Sequence, residues 1–187
     1  FVYATFNDIT SVKALIDDET AAVMLEVVQG EGGVYPAEQS FMSELAQVCK
    51  ENGLLLIIDE IQTGFGRTGK RFGYEHYGIE PDIFTLAKGL GNGLPIGAMV
   101  AKAELKGSFG PGSHGSTFGG NPVALAAAKA VLETMFNDAF FNELEQKVNY
   151  FTEQLATKIQ TLGTVKDIRQ KGLMIGIEFN RPAIEVV

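Results

Sequence analysis

One stretch limits the fold more than any other. In "GLLLIIDE", residues 53–60, five consecutive branched apolar residues stand between a glycine and two acids. A run of that length, apolar on both faces, reads as a strand buried in a parallel sheet. An amphipathic helix over roughly 37–52 precedes it, with Phe41, Met42, Leu45, Val48 and Cys49 on one face and Gly53 placed to end it. Further buried strands are expected over 21–28, 82–87 and 96–101, and a last one over 173–179. A short helix is expected over 11–18, with Asp8 or Thr10 as its cap. Asn121-Pro122 opens another helix that runs to about Phe136, and a long amphipathic helix follows over 138–162. Strands alternating with helices predict an α/β layer fold with a mostly parallel sheet.

In such sheets, ligands bind beyond the carboxyl ends of the strands. Three polar residues interrupt or end the apolar strands: Glu26, Asp59 and Lys88. If their strands are parallel neighbours, all three reach one edge of the sheet.

The glycines that follow suggest a different chemistry. Gly64, Gly66 and Gly69 spell G-x-G-x-x-G, and residues 64–70 also spell G-x-x-x-x-G-K. A phosphate loop of the second kind needs Ser or Thr after its lysine, where this chain has Arg71. Both motifs must also open a helix whose first amides bind the phosphate. "KRFGYEHYG", residues 70–78, has no helical periodicity. Glycines in tight turns are therefore the expected reading, with a nucleotide-binding domain as the competing one.

A net charge of −8 argues against nucleic acid as a partner. No apolar run approaches the roughly 20 residues of a membrane span. Cys49 is the single cysteine, which excludes an intrachain disulfide and fits a reducing cytoplasm. His76 and His114 lack partners at metal-ligand spacing, so no metal site is expected. Arg67 and Arg169 read as structural unless they reach the cleft.

Lys88 ends an apolar strand and precedes Gly89-Leu90-Gly91-Asn92-Gly93. In a tight, partly desolvated corner, such an amine becomes a nucleophile able to form a Schiff base with a carbonyl cofactor. Pyridoxal phosphate (PLP) needs two further features: a carboxylate for its ring nitrogen and donors for its phosphate. Asp59 can supply the first and "HGSTFGGNP", residues 114–122, the second. On chemistry alone, a loop lysine for Lys88 and a turn-capping carboxylate for Asp59 are the favoured readings.

A longer pattern separates these readings. "LLLIIDEIQTGFGRTGKRFGYEHYGIEPDIFTLAKGLGNGLPIGAMVAK", residues 54–102, strongly resembles the signature of the class III, fold-type I PLP-dependent aminotransferases. The resemblance extends to "LEVVQGEGGVYPA", "GSHGSTFGGNPVALAAAKAVLE" and "DIRQKGLMIGIEF". Within the family, "PGSHGSTFGGNP" and "KGLMIGIE" look most like the acetylornithine branch, with the ornithine branch as its main competitor.

The resemblance implies a cytoplasmic enzyme that passes an ω-amino group to 2-oxoglutarate. Lys88 would bind PLP covalently and shuttle a proton. Asp59 would pair with the ring nitrogen, Ile61 would pack on the ring face, and Gln62 would bond near the ring hydroxyl. Ser116 and Thr117 would bind the phosphate held by the partner subunit of a homodimer. Glu26 and Glu31 would line the substrate side, with Glu31 gating the donor. Residues 1–137 would be the C-terminal part of the large PLP-binding domain, and residues 138–187 a bridging helix and the start of an α+β small domain.

The chain reads as about half of such a protein, and alone it is expected to be inactive. Val27 stands where the family usually has proline, and Gln170 where glycine is usual. A noncatalytic relative kept for assembly is the remaining alternative, against which intact Lys88 and Asp59 argue.

Overall fold

The computed structural model describes residues 1–185; residues 186–187, the last two of the expected small-domain segment, lie outside the described residues. The chain forms β1 (Ala22–Leu25), β2 (Val28–Gln29), β3 (Tyr35–Pro36), β4 (Leu55–Asp59), β5 (Ile83–Leu86), β6 (Ala98–Ala101), β7 (Val165–Lys171) and β8 (Met174–Phe179). The α-helices are α1 (Ile9–Lys13), α2 (Gln39–Asn52), α3 (Pro122–Met135) and α4 (Asp138–Gln154).

The main sheet has the order β1-β4-β5-β6. β1 and β5 flank β4 in parallel, with Leu25 beside Ile58 and Asp59 beside Thr85. β6 runs antiparallel along β5, so the mostly parallel sheet has one antiparallel edge. β2 and β3 form a small antiparallel pair, and β7 and β8 form a hairpin.

The helix α2 follows from its sequence. Its apolar stripe, Phe41, Met42, Leu45, Val48 and Cys49, is buried, and each such side chain contributes roughly 2 kcal/mol of apolar transfer. Gly53 ends it at φ 66, its N–H bonding back to Cys49 and Lys50 carbonyls. The stripe packs on Val27, Leu56, Ile58 and Tyr77. Burial also pushes the Cys49 thiol up to about 11, with Asp82 adding to the effect, so it sits in this core as a small apolar group.

Several expected boundaries move. The first helix starts earlier because Asp8 Oδ1 accepts from Thr10 and Ser11 N–H, and it closes by Lys13. The strand expected over 21–28 breaks at Glu26 into β1 and β2. The helix expected over 138–162 is regular only to Gln154, then widens into a π turn over Leu155–Ile159. β7 and the short β3 were not anticipated. β7 carries "VKDIRQK", whose charges mask any apolar alternation.

β4 departs from its expected two-sided burial. Leu56 and Ile58 are buried against α2, while Leu55, Ile57 and Asp59 are half-exposed. Leu86, which the register places on the Ile58 face, forms a separate cluster with Leu90 and with Ala128 of α3.

Candidate active site

Side chains alternate across a strand, so the adjacent acids at the end of β4 point opposite ways. Glu60 continues the buried face of Leu56 and Ile58 and is 0% exposed. One carboxylate oxygen accepts from Gly73 N–H at 2.8 Å and from the Thr63 hydroxyl at 2.5 Å, the other from Tyr74 N–H at 2.8 Å. Burial pushes its pKa above the ordinary carboxylate value, outweighing the lowering by these three bonds. Glu60 therefore pins the turn at Gly73–His76 beneath the sheet end.

Asp59 continues the half-open face. Its Oδ1 accepts from Ile61 N–H at 2.8 Å and from the Thr85 hydroxyl at 3.1 Å. Both recorded bonds fall on Oδ1, which leaves Oδ2 for an incoming donor. None of the ion pairs among the described residues involves Asp59 or Lys88. A half-buried carboxylate held in one orientation, with no cation of its own, fits a protonated ring nitrogen. Thr85 was missed from the sequence, although a hydroxyl inside the apolar run "DIFTLA" could have signalled it.

Because β1, β4 and β5 are parallel neighbours, Glu26, Asp59 and Lys88 stand together at their carboxyl edge. Lys88 has φ 43, a left-handed conformation costly for a side-chain-bearing residue, of a kind that clusters at functional sites. The glycine-rich turn behind it is obligatory in part: a Cβ on Gly91 would stand 2.1 Å from the Leu94 carbonyl oxygen. One expectation is corrected here. Lys88 is exposed, not desolvated, because the half-open face of the sheet leaves that corner uncovered in this chain.

Gln62 and Glu26 close in from the β1 side. Glu26 Oε2 accepts from Gly30 N–H at 3.3 Å. The Gln62 amide lies so flat on Gly30 that a Cβ there would meet it at 2.6 Å. Ile61 is half-buried beside them, and Glu31 is exposed on the loop after β2. Ser116 and Thr117 sit on a wholly exposed loop ahead of α3, and no hydrogen bond ties them to the Asp59–Lys88 edge.

The glycine-rich stretch is a set of turns. Gly64, Arg67 and Gly69 N–H groups bond to Glu60, Gly64 and Gly66 carbonyls, and Gly66 N–H to the Arg71 carbonyl. Those amides are spent inside the loop, so they cannot cradle a phosphate. His76 Nε2 meets the Thr68 carbonyl and hydroxyl at 3.0 and 3.2 Å. Burial, with Lys171 and Lys70 nearby, holds its pKa down at about 4. Among the described residues, no group of three metal-ligating side chains converges, and no helix is long and apolar enough to cross a membrane.

Comparison with known proteins identifies the family. The family model "Aminotransferase class-III" matches residues 3–187. The chain is 60% identical over 178 residues, 95% of its length, to acetylornithine aminotransferase of Streptococcus mutans serotype c, of which it covers 47%. It is 58% identical over all 187 residues to acetylornithine aminotransferase of Listeria monocytogenes serotype 4b, covering 48% of that protein. The crystal structure of acetylornithine aminotransferase from Elizabethkingia anophelis superposes with a TM-score of 0.89 at 35% identity, over 97% of this chain and 46% of that one. Plasmodium falciparum ornithine delta-aminotransferase gives 0.89 at 36% identity, over 96% of this chain and 47% of that one. The chain thus spans about half the length of the curated relatives it matches. By sequence and by fold, the chain belongs to the class-III aminotransferase family.

Proposed function

We propose that this sequence, within a full-length protein of its family, serves a PLP-dependent aminotransferase. The reaction moves the ω-amino group of N-acetylornithine to 2-oxoglutarate, giving the semialdehyde and glutamate, a step of arginine biosynthesis. One observation carries the reading. Asp59 is a half-buried, bond-oriented carboxylate without a cation, on the same sheet edge as a conformationally strained Lys88. The names of relatives at 58–60% identity supply the donor.

When bound, PLP supplies an electron sink for the pair left as the donor's amine-bearing carbon loses its proton. The protein's residues do the rest. Asp59 Oδ2 holds the proton on the ring nitrogen, with Oδ1 already committed to Ile61 and Thr85. The Lys88 amine would hold the cofactor covalently and would move a proton to and from the amine-bearing carbon. Ile61 would pack against the cofactor ring, and the Gln62 amide would hydrogen-bond near its hydroxyl. Ser116 and Thr117 serve the phosphate across a homodimer, on a loop exposed enough to reach a partner. Glu26 and Glu31 line the donor's side. Residues 1–137 belong to the large domain, and residues 138–187 begin the small one. Two substrates alternating on one site give ping-pong kinetics.

The test loads the full-length protein with PLP, reduces it with borohydride and maps the labelled peptide. A pyridoxyl group on Lys88 is expected, together with turnover of N-acetylornithine. Labelling that spares Lys88 overturns the site. A preference for ornithine, succinylornithine or 4-aminobutyrate overturns the donor alone.

A further inference from the structure

The hairpin β7–β8 meets the loop after β2 through one principal side chain. Arg169, in β7, is only 15% exposed. Its Nε donates to the Gly33 carbonyl oxygen at 2.8 Å, across 136 residues of sequence. Its guanidinium carbon stands 4.2 Å from the centre of the Tyr35 ring, a cation over a π face. Its Nη1 donates to Asp167 Oδ2 at 2.6 Å and to Glu178 Oε2 at 2.8 Å. Those carboxylates, one on each strand of the hairpin, fix the direction in which the guanidinium points.

The hairpin backbone closes on the same loop: a Cβ on Gly176 would lie 2.7 Å from the Gly33 carbonyl oxygen. Within the loop itself, Gly33 and Val34 N–H both bond to the Gly30 carbonyl, and both residues have positive φ. Such a loop has little to hold its outer end except the hairpin. Glu31 sits on it, exposed, two residues before the carbonyl that Arg169 grips.

We propose that Arg169 is a positioning residue for the amino donor: by gripping Gly33 and Tyr35 it fixes the loop that places the Glu31 carboxylate. The proposal rests on the aminotransferase reading and on Glu31 facing the donor. Arginine is required because one planar fork must serve a carbonyl, two carboxylates and a ring face together. Lysine can reach one or two of these.

The test uses the full-length protein with Arg169→Met, Arg169→Lys and, as a control, Lys158→Met, an exposed lysine in none of the ion pairs among the described residues. Two quantities are read: amide hydrogen exchange of the peptide covering residues 29–35, and steady-state kinetics with the ω-amino donor. Arg169→Met should speed exchange in residues 30–34 about tenfold or more. It should also raise donor KM about tenfold while kcat stays within about threefold, as expected for lost donor placement. Arg169→Lys should fall between it and the wild type, and it carries the test if the methionine variant does not fold. Lys158→Met should behave like the wild type. Unchanged exchange overturns the grip, and a fall in kcat with donor KM unchanged, the mark of a merely structural role, overturns the positioning. Faster exchange with unchanged donor KM overturns the positioning. A wild-type protein inactive on every ω-amino donor overturns the functional reading instead, while exchange still decides whether Arg169 fixes the loop.

Discussion

Replacing Glu60 with alanine is the sharpest perturbation of the scaffold under the site. Glu60 is fully buried, and its two oxygens satisfy the N–H groups of Gly73 and Tyr74, both at 2.8 Å. Alanine leaves both donors without acceptors, at about 1–3 kcal/mol each. The vacated volume adds to this, so a loss of about 3–6 kcal/mol is expected. That is a large share of the 5–15 kcal/mol typical of a folded domain. Glu60→Gln keeps one oxygen for one donor but turns an NH2 toward the other, and should cost about half as much.

The pH dependence separates charge from shape. The folded pKa is raised above its ordinary 4.5, so the folded chain binds the proton more tightly than the unfolded one. The resulting stability is fully present below that value and is lost as pH rises through the folded pKa. Both variants should remove this decline. Urea denaturation of the purified chain, followed by far-ultraviolet circular dichroism from pH 4 to 8, measures both effects; the chain has no tryptophan to report by fluorescence. A loss below about 1 kcal/mol for Glu60→Ala, under the cost of one orphaned donor, refutes the reasoning.

Other outcomes follow from single contacts. Asp59→Asn in the full-length protein should lower kcat/KM about a hundredfold or more, about 2.7 kcal/mol, because an amide cannot hold the ring proton. Its fold, checked by circular dichroism, should persist, since the amide oxygen still accepts from Ile61 and Thr85. Gly172→Ala places a Cβ 2.2 Å from the Thr68 carbonyl carbon at φ +60, and should lower stability by more than about 2 kcal/mol; a neutral melting temperature would sink this. His76, held at about 4, should remain neutral by NMR down to pH 5. Stability should then fall as pH drops from its ordinary 6.5 through about 4, and His76→Gln should abolish that fall.

The sheet and α2 could be read from the sequence because their signals are local. Five apolar residues before Asp59, and a stripe ending at Gly53, need no distant partner to be recognised. The clustering of Glu26, Asp59 and Lys88 followed from strand direction alone. Glu60 could not be told from Asp59 by residue type; only the two-residue period of β4, once anchored by α2, sends one into the core and the other to the cleft. Thr85 left only a faint local trace, a hydroxyl inside an apolar run, while the partners of Arg169 lie in a distant loop that no local pattern encodes. The exposure of Lys88 was misjudged because flanking glycines reveal backbone shape and not what covers it.

The bond between Arg169 and Gly33 also has a history in time. It closes a span of 136 residues, and a contact so distant is entropically slow to form. During synthesis, β1, α2 and β4 can assemble as soon as they emerge. The loop bearing Glu31 must wait until the ribosome has released the hairpin far downstream. The outer end of that loop is therefore fixed later than the sheet it lies beside in each newborn molecule.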